Sequence, residues 1–177
     1  VVDSQMLAFN QGTTRRGSYA AYMDISHPEI EEFINIRKES GGDINRKSLN
    51  LHNGVNITND YLKAVKEDAD WRLIDPKTKE AVRTVKARDL WWQILNARAE
   101  TGEPYMVNID TCNDNLPEPQ KELGLSIKQS NLCSEITLPT DEERTAVCCL
   151  SSVNLEHFDT WSKEPLFIQD LITMLDN

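Results

Sequence analysis

The sequence predicts an α/β fold. Segments that read as strands alternate along the chain with segments whose apolar residues recur at helical spacing, and turn or cap residues stand between them. The length of 177 residues fits one domain of ordinary size with a substantial core. No run approaches the roughly 20 apolar residues needed to cross a bilayer.

Taken in order, residues 1–9 are mostly apolar and carry no helix cap, as if continuing an element that began earlier. Residues 10–17 form a polar loop containing Gly12 and Gly17, and 18–25 read as a strand. Ser26 and Glu29 have the spacing of a capping box, followed by Ile30, Phe33, Ile34 and Arg37 at helical intervals and a stop at Gly41-Gly42. Residues 49–57 alternate as a strand, and Thr58 or Asn59 caps a short helix over Tyr61, Leu62 and Val65. Asp75-Pro76-Lys77-Thr78 is a turn between strands at 71–74 and 81–85. Residues 87–99 form a helix burying Leu90, Trp91, Ile94 and Leu95, closed by Thr101-Gly102. A strand at 105–109 leads into a polar connection at 112–126. Strand-like segments then cover 131–139 and 146–153, and 165–175 form a final amphipathic helix without a C-cap. The apolar start and capless end read either as frayed termini or as cut edges of a longer chain.

Charge excludes one class of function. A net charge of -10 argues against a general nucleic-acid binder, which needs a basic face, although a mononucleotide needs only one local anion site. There is no charged-then-apolar leader, and the chain reads as soluble and cytoplasmic. The four cysteines, Cys112, Cys133, Cys148 and Cys149, form no C-x-x-C pair and no Cys/His metal spacing. Adjacent Cys148 and Cys149 suit a disulfide framework poorly, so reactive thiols in a reducing compartment are the better reading. For any single buried cysteine the plain alternative is inert packing.

The chemistry concentrates at Ser130-Asn131-Leu132-Cys133-Ser134-Glu135. In an extended backbone, side chains at every second residue share one side, so Asn131, Cys133 and Glu135 would converge as amide, thiol and base. Ile136-Thr137-Leu138-Pro139-Thr140 follows, and then Ala146-Val147-Cys148-Cys149-Leu150-Ser151-Ser152-Val153-Asn154-Leu155. Together these resemble the catalytic segment of the large subunit of ribonucleotide reductase, most like class I. The likeness runs along nearly the whole chain.

The resemblance implies a fold and a set of roles. The fold is part of a ten-stranded α/β barrel whose inward loop carries Cys133, with residues 1–177 as a single segment of that barrel domain. Cys133 matches the cysteine whose thiyl radical removes the 3′ hydrogen of the substrate ribose. Glu135 matches the glutamate that takes the 3′-OH proton, and Asn131 the asparagine that orients the sugar. The other reading of Asn131 and Glu135 is a strand-end pair or loop cap. Cys148 matches the second of two cysteines that reduce the 2′ position, with Cys149 a bystander; a register shift of one would exchange them. The first member of that pair should lie upstream of Val1. Gln11, Gly12, Arg15 and Gly17 match a flexible loop relaying effector identity to substrate choice, where Arg16 departs from the usual Gly or Pro. A solvated basic loop is the alternative there. His52 reads as a core or supporting histidine, His27 as part of a helix start, and His157 as surface.

The same resemblance supplies partners. It implies a ribonucleotide substrate, a nucleoside triphosphate effector, the remaining segments of the large subunit, a homodimer, and a small subunit that generates the radical. No metal or cofactor is expected in this segment. The generator is a dimetal partner subunit, with adenosylcobalamin the alternative. Two other functions fit less of the pattern: a non-catalytic nucleotide-binding or scaffold remnant of the fold, and a glycyl-radical enzyme, which the Asn-x-Cys-x-Glu spacing disfavours.

Overall fold

Residues 1–12 and 14–176 are described by a computed structural model, with the side chains of Asn10 and Gln11 left aside. Backbone contacts divide the chain into two compact units, Val1–Thr140 and Asp141–Asn177.

The first unit opens with helix α1 (Val2–Ala8), followed by a two-stranded hairpin of β1 (Asn10–Gln11) and β2 (Arg15–Arg16). Strand β3 (Ala20–Asp24) leads to helix α2 (Ile30–Ile34), strand β4 (His52–Ile57) and helix α3 (Asn59–Glu67). An antiparallel hairpin of β5 (Asp70–Ile74) and β6 (Ala81–Lys86) precedes the long helix α4 (Ala87–Thr101) and strand β7 (Tyr105–Asn108). Short helices α5 (Ile109–Asp114) and α6 (Glu118–Glu122) follow.

Strands β3, β4 and β7 form a three-stranded parallel sheet in that order. Parallel neighbours need crossover connections, and α2 bridges β3 to β4 while α3 and α4 lie between β4 and β7. The result is a mixed α/β arrangement with an unclosed sheet. The pleat sends alternate side chains to opposite faces. Ile25, Val55 and Ile57 point to the helical side, where they pack with Ile30, Phe33, Ile34, Tyr61, Leu90 and Ile94 in one buried cluster. Burying each such aliphatic side chain contributes about 1.5–3 kcal/mol. Tyr61 carries its polar end into this core by donating from its hydroxyl to the Ala87 carbonyl at 3.1 Å. Burial holds that phenol well above its ordinary pKa.

Local signals explain the boundaries. Thr58 accepts from the Tyr61 amide at 3.2 Å and starts α3, and Gly102, at φ +82°, ends α4. The capping box expected at Ser26 does not form. The imidazole Nδ1 of His27 accepts from the Glu29 amide, and the Ser26 carbonyl accepts from Ile74 of β5, so the helix starts late, at Ile30. The polar connection at 112–126 also differs from expectation. It holds α5, capped by the Asn108 side chain on Thr111, and α6, which begins after Pro117.

In the second unit, a 3-10 turn (Leu155–His157), helix α7 (Phe158–Trp161) and helix α8 (Phe167–Asp176) follow an irregular stretch. The ring of Trp161 contacts Phe158 and Phe167, and its indole N–H donates to the Asn154 carbonyl at 3.0 Å. The strand expected over 146–153 is absent, since those residues pair with no neighbouring strand. Among the described residues, no helix is long and apolar enough to cross a membrane.

Candidate active site

The sheet face away from the helices carries the polar residues. Register sets Tyr22 of β3 beside Gly54 of β4, and Gly54 beside Tyr105 of β7. A Cβ on Gly54 would overlap the Tyr22 ring, so the missing side chain is what lets that ring lie across β4. One step toward the strand starts, His52 stacks on Tyr105 with ring centroids 6.0 Å apart and planes 8° apart. Its Nδ1 meets the Glu103 carboxylate, which is buried and also accepts from the Asn53 amide at 3.0 Å. The Arg37 Nε lies 3.4 Å from the same carboxylate. A buried charge needs such partners, and losing one typically costs about 3–5 kcal/mol. The Tyr105 phenol is held above its ordinary pKa, first by desolvation and then by the Glu103 carboxylate, with Arg37 opposing.

Across this face runs the segment bearing the candidate thiol. The Asn56 side chain donates from Nδ2 to the Lys128 carbonyl at 2.8 Å and to Asp24 at 3.0 Å. One row away, the Tyr22 hydroxyl donates to the Asn131 carbonyl at 3.0 Å. Residues 131–136 then close a loop rather than a strand, which corrects the extended conformation expected for 131–139. The Asn131 amide donates to the Ile136 carbonyl at 3.1 Å, and the Ile136 amide returns a bond of 3.1 Å to Asn131 Oδ1. Ser130 Oγ adds a bond of 2.9 Å to the Ile136 carbonyl. Inside the loop, the Ser134 amide donates to the Asn131 carbonyl at 3.2 Å, and Ser134 takes φ +67°. Asn131 thus offers its own amide group in place of a strand partner, a competition that short polar side chains often win.

The consequence is chemical. Cys133 and Glu135 stand exposed at the tip, and Asn131 is half-buried at the base. All three residues belong to this one loop, which closes on itself and does not alternate as a strand. Asn131 Oδ1 is used in closure, and Nδ2 is the donor that closure does not use.

Other expected site residues belong to other segments of the chain. Cys148 and Cys149 are exposed and free in the irregular start of the second unit. Gly12, at φ +65°, turns the β1–β2 hairpin, and Arg15 is exposed in β2. Gly17 donates to the Phe9 carbonyl, and a Cβ there would come within 2.9 Å of that oxygen, so the hairpin closes tightly on α1 only with glycine. The side chain of Gln11 and all of Thr13 fall outside the described residues. Asp3 of α1 accepts from the Asn50 and Leu51 amides, tying α1 to the approach of β4. Sequence reasoning missed Tyr22, Gly54, Asn56, Glu103 and Tyr105. A glycine within an otherwise bulky strand was the available signal for close approach.

A polar sheet face crossed by a cysteine-tipped loop defines a thiol-bearing α/β barrel segment. The chain belongs to the ribonucleotide reductase family: the model described as "Ribonucleotide reductase, barrel domain" matches residues 1–177. It is 54% identical over 176 residues to a putative ribonucleoside-diphosphate reductase large subunit of Frog virus 3, covering 99% of this chain and 31% of that protein. Against the large subunit of Invertebrate iridescent virus 3 it is 45% identical over 229 residues, covering 99% of this chain and 36% of that protein. The chain therefore spans about a third of the length of these curated relatives. Among solved structures, the class Id ribonucleotide reductase alpha subunit of Actinobacillus ureae superposes with a TM-score of 0.67 at 31% identity, covering 90% of this chain and 27% of that one.

Proposed function

We propose that this chain is one contiguous segment of the catalytic barrel of a ribonucleoside-diphosphate reductase large subunit, and that it presents the hydrogen-abstracting thiol. The observation that supports this best is the closed 131–136 loop, which offers Cys133 and Glu135 at an exposed tip over the polar sheet face.

In this reading Cys133, as a thiyl radical, takes the hydrogen atom from C3′ of the ribose; an S–H bond forms and the radical passes to carbon. Glu135 accepts the 3′-OH proton, and Asn131 donates from Nδ2 to a sugar hydroxyl. The 2′-OH leaves as water. Cys148 and a second thiol outside this chain supply two electrons and two protons and end as a disulfide. Glu135 returns its proton to the 3′ oxygen, and Cys133 returns its hydrogen to C3′ and is again a thiyl radical. The hairpin with Gln11, Gly12, Arg15 and Gly17 relays effector identity to substrate choice.

The proposed setting is cytoplasmic and homodimeric, with the remaining large-subunit segments completing the barrel. The radical comes from a partner subunit, so this segment is assigned no resident metal. The test is Cys133→Ser in the full-length enzyme. A serine O–H bond is too strong for balanced hydrogen exchange with ribose, so turnover should vanish while nucleotide binding persists. Turnover above background would refute the assignment, and intact nucleotide binding without turnover in the unaltered enzyme would favour the scaffold alternative.

A further inference from the structure

We infer that Tyr22 is a positioning residue for Cys133, holding the thiol loop at a fixed place over the sheet by way of the ring seat that Gly54 provides. The inference rests on the proposed role of Cys133 as the reacting thiol.

The hydrogen bonds within the loop close it but do not place it. Bonds between 130 or 131 and 136, and between 131 and 134, would survive if the whole loop shifted as a body. What joins it to the sheet is a pair of side-chain tethers from adjacent strands. Asn56 holds the stem through the Lys128 carbonyl, and Tyr22 holds the loop base through the Asn131 carbonyl.

The Tyr22 tether acts at a sensitive atom. The Asn131 carbonyl also accepts from the Ser134 amide, so it is the acceptor about which the turn carrying Cys133 is built. The hydroxyl reaches that oxygen because the ring lies across Gly54, in space that any other residue at 54 would fill. On the far side of Gly54, register sets Tyr105 of β7 beside it. Tyr22, Gly54 and Tyr105 thus form one row beneath the loop. Atom transfer to sulfur depends steeply on approach distance, and a displacement of about 1 Å can cost about a hundredfold in rate.

The experiment uses the full-length reductase with its radical-generating subunit. Tyr22→Phe keeps the ring and removes only the donated bond; kcat should fall about fivefold to tenfold, the scale of one hydrogen bond, with KM within about twofold. The isotope effect with 3′-deuterated substrate should rise, because hydrogen transfer becomes the slower step. A purely structural role would lower the active fraction and leave that isotope effect unchanged. Gly54→Ala should lose about a hundredfold in kcat. Combining it with Tyr22→Ala relieves the clash but not the missing tether, so the double variant should fold and remain slow. Where a variant folds poorly, the rate of Cys133 alkylation in its soluble fraction reads loop placement directly and should differ from wild type.

Tyr22→Phe with wild-type kcat and isotope effect would overturn the inference, as would recovery of rate in the double variant. Retained turnover in Cys133→Ser would instead overturn the proposed function itself, so the two failures are distinguishable.

Discussion

Replacing Asn131 by Asp and by Ala separates the loop-closing bond of its side chain from the substrate contact proposed for it. Its Oδ1 accepts from the Ile136 amide at 3.1 Å and lies 3.3 Å from Ser130 Oγ, and its Nδ2 is the group proposed to donate to substrate. Alanine removes both functions. The stranded Ile136 N–H costs about 1–3 kcal/mol when buried, and Ile136 is half-buried, so the low end applies. About 1 kcal/mol corresponds to roughly fivefold faster hydrogen exchange at that amide. Aspartate keeps an acceptor at the same place, with charge to strengthen it, so exchange at Ile136 should match or fall below wild type. Both variants lose the outward donor, and kcat/KM should drop about tenfold or more in each. Exchange measured by mass spectrometry and steady-state kinetics on the full-length enzyme decide the matter. If Asp accelerates exchange as Ala does, Oδ1 does not close the loop. If Asp keeps wild-type kcat/KM, Nδ2 does not meet the substrate.

Cys148→Ser should block multiple turnover while Cys149→Ser stays close to wild type; reversal of the two in a turnover assay would move the redox role to Cys149. Arg15→Ala should change the ratio of nucleotides reduced more than the rate with the best substrate, and equal losses across four substrates would point to a general folding or binding role. Asp75 accepts from the Thr78 amide at 2.9 Å and the Lys77 amide at 2.7 Å, and these bonds, Thr78 first, hold its carboxyl below the ordinary range. A depressed folded pKa contributes stability above the unfolded Asp pKa and loses it as pH falls through the folded value. Asp75→Asn should therefore speed hydrogen exchange in the β5–β6 turn near neutral pH, with the difference vanishing in acid; a pH-independent difference would refute the linkage.

The parts legible in the sequence were those with a local physical signature. The caps of α3 and α4, the Asp75 turn and the strands at β3, β4 and β7 follow from periodicity and turn chemistry. Two misreadings share one cause, a side chain taking a backbone partner that the pattern had reserved for something else. His27 took the Glu29 amide and dissolved the Ser26 capping box. Asn131 took the Ile136 amide and turned an apparent strand into a closed loop. Cys133, Asn131 and Glu135 stand out in the sequence as candidates by type and spacing. Tyr22 could not, because its significance comes from pairing with Gly54 across a crossover and from a bond to Asn131, 109 residues away.

That long-range dependence gives the core a part in placing the thiol loop. A sheet whose one face is packed cannot slip by a single residue without reversing every side chain. Val55 and Ile57 are locked among Ile30, Ile34, Tyr61, Leu90 and Ile94, so His52, Gly54 and Asn56 must face the other way. The same lock, acting through register, places Gly54 between Tyr22 and Tyr105 and sets Asn56 beneath Lys128. A slip of β4 would bury His52 and Asn56 against the helices, present Val55 where the Tyr22 ring now lies, and leave the Asn131 carbonyl without its donor. The apolar face thus helps to fix the position of a loop tethered to the opposite face, and the pleat of β4 is the element that carries the constraint from one face to the other.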